Sequence, residues 1–185
     1  MHVLRGGHVV DVDGVREADV AIDEGRIVAV GEVDVEEDDT ETDVSGQFVA
    51  PGLIDAHVHL MMDGRPDVTT IQGESEATAA YRTTANLEAA LDAGVTTVRD
   101  LGARDSLALD AARAVEAGVV AGPRVLAAGQ NVVMTGGHGH WFGCEADGET
   151  AVRRAAREQL KRGADVVKCM ATGGVLTEGA KTGLP

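Results

Sequence analysis

Three predicted helices each end at a glycine that is followed almost at once by a β-strand, and this repeat constrains the fold more than any other feature. The glycines are Gly94, Gly118 and Gly163, and the strand-like stretches around the helices read FVAPGLIDA, VTTVRD, RVLAA and ADVVKCM. Glycine is typical just beyond the last turn of a helix. Strands that alternate with helices across short connections predict a parallel sheet covered by helices.

Two of the predicted helices, over 106–117 and near 149–162, have apolar residues along one face. These residues are Ala108, Ala111, Ala112 and Val115 in the first helix, and Val152, Ala155, Ala156 and Leu160 in the second. An apolar face of this width is what a helix needs to cover one side of a sheet.

The first 48 residues predict a separate, smaller β layer. A hairpin is indicated over 18–31, where apolar residues flank a turn at Asp23-Glu24-Gly25. Residues 34–43 are mostly acidic and predict a solvated loop. We therefore expect a small β-sandwich portion over 1–48 and a larger α/β domain over 49–185.

The end of the first strand in the larger domain distinguishes between two parallel α/β architectures. An open doubly wound sheet normally has a phosphate-binding glycine turn there, whereas this strand ends in Asp55-Ala56-His57-Val58-His59. The long loops 129–148 and 170–185 follow strands, which is typical of a barrel whose active site lies at the carboxyl ends of its strands. A complete barrel has eight strands in about 250 residues. The four predicted strands thus indicate an α/β fold, the first half of a (β/α)8 TIM-type barrel preceded by a small N-terminal β layer.

The charge excludes several classes of partner. The 16 Lys and Arg residues against 31 Asp and Glu give a net charge of −15, so nucleic acids and anionic membranes are poor partners. The chain has no apolar run near the roughly 20 residues that span a bilayer, and its N-terminus lacks a signal-peptide apolar block, which predicts a cytoplasmic protein. Acid excess with only three lysines is typical of salt-adapted, halophilic proteins, although GC-rich coding bias is an alternative. Cys144 and Cys169 have no metal-type spacing, and packed thiols are favoured over a disulfide.

Two histidines at the end of the first barrel strand form a candidate metal site. His57 and His59 are two residues apart, so strand alternation sends both imidazoles to one face. Two neutral imidazoles suit zinc or a similar divalent ion. The alternative is a pair of polar residues on a solvent-facing strand edge. The mostly apolar sequence VAPGLIDAHVHL favours a buried central strand instead.

A glycine-rich loop supplies two further candidates. His138 and His140 lie in MTGGHGHWFG, where glycines allow the backbone to approach a ligand. We expect one of them, with a slight preference for His140, to contact substrate or the oxyanion formed during attack; a solvated loop histidine is the alternative. Asp100 and its neighbour Arg99 end the second strand, where they orient a polar group or form a buried ion pair. Residues 172–174 (Thr-Gly-Gly) are expected to shape the pocket floor.

PGLIDAHVHL resembles the signature of the amidohydrolase superfamily. The stretches TTVRDLG, AGPRVLAAG, TGGHG and VKCMATGGV resemble the branch of imidazolonepropionase-like enzymes and metal-dependent Xaa-Pro or Xaa-Arg dipeptidases. The resemblance implies a metal-dependent hydrolase with one or two divalent ions, usually Zn²⁺, for which His57 and His59 are first-strand ligands. Metal-activated water would hydrolyse a C–N bond in a dipeptide or a cyclic amide. The family's two later histidines and its general-base aspartate are expected beyond residue 185.

Lys168 matches the family's fourth-strand lysine, which CO₂ converts to a carbamate that bridges two metals. Independently, its apolar strand predicts burial, and burying an ammonium lowers its pKa and exposes the free amine that captures CO₂. The alternative is a lysine whose ammonium reaches solvent at a strand end.

Three functional hypotheses follow. The first is the N-terminal part of an amidohydrolase acting on a small molecule, inactive as an isolated fragment. The second is a half-barrel that serves as a binding or assembly module, whose uncovered parallel edge at the fourth strand would favour aggregation or a homo-oligomer such as a dimer. The third is a non-hydrolytic metal-binding protein, for which His57, His59 and Lys168 are too few for a closed tetrahedral site.

Overall fold

A computed structural model describes residues 1–65 and 67–174, and the chain divides into two compact units, Met1–Pro51 and Gly52–Pro185. The first unit is a five-stranded sheet in which β1 pairs with β2 antiparallel and with β4 and β5 parallel. Its strands are β1 (His2–Asp11), β2 (Gly14–Asp23), β3 (Arg26–Gly31), β4 (Thr40–Asp43) and β5 (Phe48–Val49).

The hairpin in the first unit is confirmed. Strands β2 and β3 are antiparallel neighbours, and Glu24 and Gly25 between them have φ of 46° and 73°. Two positive φ values in a two-residue loop match the twist of the flanking strands. The expected solvated loop at 34–43 is wrong at its end, because residues 40–43 form β4; its side chains are nevertheless exposed.

The second unit is built on a parallel sheet in the order β6-β7-β8, with helices between the strands, so the α/β fold is confirmed. Gly163 shows why glycine ends such a helix, since it caps α4 at φ 101°, a left-handed conformation that side chains disfavour. The elements are β6 (Leu53–Val58), α1 (Thr69–Gln72), α2 (Glu76–Asp92), β7 (Val95–Asp100), α3 (Leu107–Glu116), β8 (Arg124–Ala127), β9 (Val132–Val133), β10 (Cys144–Glu145) and α4 (Gly148–Arg162).

The fourth predicted strand is wrong as stated. In the described chain the stretch ADVVKCM makes a single parallel bridge, from Cys169 to Val132, although its backbone still runs beside β8 and β9. The expected loop 129–148 is also not wholly irregular, because it contains the small β9–β10 sheet. Of the other predicted loop, residues 175–185 lie outside the described part of the chain.

Strand β6 is exposed, contrary to the expectation of a buried central strand. Leu53 and Ile54 are 61% and 71% exposed. Within the described residues β6 pairs only with β7, so one of its edges and much of its side-chain surface face solvent. Apolar composition alone does not bury a strand that lacks a second neighbour.

The helices bury the expected kind of face, with one shift. Ser75 caps α2 by accepting the Thr78 N–H at 3.2 Å. In α4 the buried residues include Gln159 rather than Leu160, which is 52% exposed. Gln159 is buried because its Oε1 accepts the N–H of Gln130 at 3.1 Å. The predicted apolar face of this helix is therefore rotated by one residue at its end.

The core of the second unit lies between the sheet, its helices and the loops at the carboxyl ends of the strands. Its larger buried members are Leu60, Met61, Leu87, Val98, Leu109, Val125 and Phe142. No helix in the described ranges is both long and apolar enough to cross a membrane.

Candidate metal centre

His57 and His59 lie together at the carboxyl end of β6. His57 is in the strand and His59 follows its last residue, and their ring centroids are 5.4 Å apart with the planes at 67°. His57 is exposed, whereas His59 is half-buried. The structure thus brings the two predicted imidazoles to one place.

His59 is held by two contacts from other loops. Its Nδ1 lies 2.8 Å from the carbonyl oxygen of Gly102, and the Phe142 ring meets its ring edge-on at 5.6 Å. Because a carbonyl oxygen only accepts hydrogen bonds, Nδ1 must be the protonated nitrogen. Nε2 is then the nitrogen with a free lone pair, as a metal ligand requires.

Asp100, the last residue of β7, is fully buried next to these loops. Its carboxylate accepts the Leu60 N–H at 2.8 Å and the Gly102 N–H at 2.9 Å. Burial raises the pKa of Asp100 to about 6, against the opposing effect of both N–H groups. Of the two alternatives for Arg99 and Asp100, the buried ion pair is wrong, because the Arg99 Nε donates to the Ala56 carbonyl and the Asp100 carboxylate accepts backbone N–H groups.

Lys168 acts electrostatically on both histidines. Burial lowers the pKa of His57 and of His59, and the positive charge of Lys168 lowers each further; at His59 the Gly102 hydrogen bond acts in the opposite direction. The expected burial in an apolar strand is wrong, since Lys168 is only half-buried and precedes the bridge at Cys169. Its carbonyl accepts the Val132 N–H at 2.7 Å, which ties it to the sheet margin.

The two loop histidines differ in their surroundings. His138 is close enough to His59 and Lys168 that both add to the effect of burial in lowering its pKa. A Cβ on Gly174 would lie 2.3 Å from the Cβ of His138, so the two backbones approach closely there. His140 bonds through Nδ1 to the carbonyl of Gly137 in its own loop, at 3.2 Å. Substrate contact by either histidine stays a prediction, and the position of His138 now favours it.

Arg104 connects the end of α1 to the loop that carries His138 and His140. Its guanidinium donates to the carbonyls of Glu74, Gln72 and Ile71 at 2.9, 3.0 and 3.3 Å, at the end of α1. The same group lies 6.0 Å from the ring centre of Trp141, beside His140. Sequence reasoning missed Arg104 because its partners are 30 or more positions away and share no pattern with it.

The donor set fits a divalent ion only in part. Across the described ranges no three His, Cys, Asp or Glu side chains are grouped closely enough to hold a metal. The two neutral imidazoles suit zinc, and a carbamate on Lys168 would add an anionic oxygen donor, but a catalytic zinc site normally has three protein ligands. The residues present therefore fit part of a metal centre.

A parallel β/α sheet with paired histidines at its carboxyl edge matches the first strands of a TIM-type barrel, a class of protein in which the loops at this edge carry the active site. More particularly, the chain belongs to the amidohydrolase family, whose sequence profile matches residues 48–185. Members of this family are generally metal-dependent. The predicted membership and the half-barrel fold are confirmed.

Two curated relatives are similar in sequence. Ochratoxinase of Aspergillus niger is 30% identical over 208 aligned residues, which cover 95% of this chain and 43% of the relative. Allantoinase of Desulfitobacterium hafniense (strain Y51) is 44% identical over 79 residues, 42% of this chain and 17% of the relative.

Solved structures are similar over nearly the whole chain. A prolidase crystallised with N-methylphosphonate-L-proline is 33% identical with a TM-score of 0.89, over 99% of this chain and 49% of that one. A Xaa-Pro dipeptidase with methionine in its active site is 27% identical with a TM-score of 0.84, over 98% and 49%. The chain thus spans about half the length of these two proteins and 43% of the ochratoxinase.

Proposed function

We propose that this chain carries the first part of the metal centre of an amidohydrolase that hydrolyses a C–N bond with metal-activated water. One observation supports the proposal most strongly: the His57 and His59 rings lie 5.4 Å apart, and the charge of Lys168 acts on both. A bound divalent ion would lower the pKa of its water toward neutrality and polarise the scissile carbonyl.

Each of the chain's own residues has a defined role in this proposal. His59 offers Nε2 because Gly102 holds its proton on Nδ1. The lowered pKa values of His57 and His59 keep both imidazoles neutral at neutral pH, which is the form that binds metal. Lys168 would capture CO₂ as a carbamate and supply an anionic oxygen. His138 would contact the substrate or the developing oxyanion, a role supported by its closeness to His59 and Lys168, whose charges add to the lowering of its pKa.

The test is calorimetric titration of the metal-free chain with zinc chloride. We expect binding that weakens at least tenfold in His59→Gln and in Lys168→Ala, since each removes a donor. Added bicarbonate should strengthen zinc binding by the unchanged chain but not by Lys168→Ala, because only the former can form a carbamate.

His2→Gln is the matched control, because His2 lies in the first unit and bonds to Thr40. It should bind zinc as the unchanged chain does. Equal zinc affinity in all four proteins would contradict the assignment of the metal ligands. A bicarbonate effect that persists in Lys168→Ala would contradict the carbamate alone.

The substrate class follows from the relatives only as a proposal. A prolidase, a Xaa-Pro dipeptidase and an allantoinase among them favour a small molecule with an amide bond, either a dipeptide or a cyclic amide. Nucleic acids and membranes are not proposed as partners, and a cytoplasmic location remains our proposal from the sequence. The general-base aspartate is expected outside these 185 residues, so we expect little turnover by the chain alone.

The exposed edge strand favours a second candidate, an inactive half-barrel that acts as an assembly module. Leu53 and Ile54 present apolar side chains on β6, and in the described part of the chain one edge of this strand has no neighbour to pair with its backbone groups. Sedimentation over a concentration series tests this role. Concentration-dependent dimers without zinc binding would support the module, and a monomer that binds zinc would exclude it.

A further inference from the structure

One carboxylate connects the two loops that surround His59. Asp100 has no exposed surface and lies at the end of β7, between the turn after β6 and the turn after β7. It accepts the N–H of Leu60, the residue after His59, and the N–H of Gly102. A single buried side chain therefore fixes the backbone on both sides of the His59 ring.

Gly102 passes this constraint to the imidazole. Its N–H donates to Asp100, and its carbonyl accepts the Nδ1 proton of His59 at 2.8 Å. Gly102 has φ 146°, and a Cβ there would lie 2.9 Å from the Oδ1 of the buried Asn131. The peptide is thus confined between Asp100 and Asn131, and its carbonyl has little freedom to turn away from His59.

We propose that Asp100 is a positioning residue for His59: by holding the Leu60 and Gly102 N–H groups, it keeps the Gly102 carbonyl on Nδ1 and leaves Nε2 free. The inference rests on the proposed role of His59 as a metal ligand, but the tautomer it concerns exists in the metal-free protein. Partners that orient a ligating histidine in this way commonly change metal affinity when they are altered. Both carboxylate oxygens of Asp100 accept backbone N–H groups, so we assign it a positioning role and not contact with metal or substrate.

The test measures the His59 tautomer in the metal-free chain by ¹⁵N–¹H long-range correlation spectroscopy, at about pH 8, where imidazoles are neutral. The His59 signals are identified by their loss in His59→Gln. The unchanged chain should show the Nδ1–H form at His59. In Asp100→Asn the amide NH₂ faces one of the two N–H groups and cannot accept from it. We therefore expect a severalfold rise in the Nε2–H form at His59, with no change at His57.

Leu87→Ala is the control for lost stability, because Leu87 is 1% exposed in the same core but is a partner in neither of the two Asp100 hydrogen bonds. It should leave the His59 tautomer unchanged. An Nε2–H form in the unchanged chain would overturn the proposal even if Asp100→Asn fails to fold. So would a tautomer that is the same in Asp100→Asn, or that shifts equally in Leu87→Ala. A failure of zinc binding with the expected tautomer intact would count against the proposed function and not against this inference.

Discussion

Replacing Asp100 with asparagine should change how the stability of the chain depends on pH. The pKa of Asp100 is raised from 3.8 to about 6 because burial penalises the charged carboxylate more than its two N–H donors stabilise it. Between these two values the folded protein holds a proton that the unfolded chain has released. Raising the pH therefore destabilises the fold, and the stability contributed by the neutral carboxyl is lost as pH rises through about 6.

The size of the effect follows from the shift. About two pKa units correspond to about 3 kcal/mol in total, of which about 2 kcal/mol falls between pH 4 and pH 7. Asparagine has no proton to release, so Asp100→Asn lacks this contribution. The lowered pKa values of His57 and His59 act in the opposite direction, removing stability as pH falls below 6.5. The effect of His57 is common to both proteins. Loss of the Gly102 hydrogen bond in Asp100→Asn would lower the pKa of His59 further, which changes the difference between the two proteins in the same direction as Asp100 does.

Urea unfolding followed by circular dichroism, at a series of pH values from 4 to 7, measures the free energy of unfolding of both proteins. The free energy of unfolding of the unchanged chain, minus that of Asp100→Asn, should fall by about 2 kcal/mol as the pH rises from 4 to 7. A difference that stays constant would show that the two N–H groups fully offset the burial of the carboxylate. A difference that rises with pH would show that they outweigh it, and either result would refute the reasoning.

Three further expectations concern glycine and cysteine positions. Gly102→Ala places a side chain at φ 146° and 2.9 Å from an amide oxygen, and should lower the free energy of unfolding by about 1–3 kcal/mol in urea titrations; an unchanged midpoint would contradict this strain. Gly174→Ala would put its Cβ 2.5 Å from the Nδ1 of His138, so the His138 ring resonances should shift while those of distant residues do not. Cys144 and Cys169 both pair with Val132, one on each side of its strand. Two strand spacings therefore separate their Cα atoms, about 10 Å in all, which is beyond the roughly 7 Å limit for a disulfide. Mild oxidation followed by mass spectrometry should therefore find both thiols free of an intramolecular bond.

Local patterns predicted much of this fold. The helix ends at Gly94, Gly118 and Gly163, the type of sheet and the meeting of His57 with His59 all follow from short-range periodicity and turn chemistry. Each of these features depends on residues a few positions apart, for which the physical rules are strong.

Features decided by distant contacts could not be predicted in this way. Gln159 is buried because a loop 29 residues away offers it an N–H, and Leu160 is exposed as a consequence. The apolar neighbours of Lys168 predict its burial, but burial requires a covering element that those neighbours do not specify. The position of Asp100 at a strand end can be predicted from the sequence, whereas its hydrogen bond to Leu60, 40 residues away, cannot.

The contact between Arg104 and Trp141 makes the fluorescence of Trp141 sensitive to the position of the guanidinium. Trp141 is the single tryptophan of the 185 residues, and its indole faces a cation that is itself anchored on the carbonyls around residues 71–74. If the turn at residues 71–74 rearranges, Arg104 moves with it and the charge near the Trp141 indole changes. The fluorescence emission of Trp141 therefore depends on the conformation of this separate segment. Intrinsic fluorescence can thus follow movement at the mouth of the barrel without an added dye.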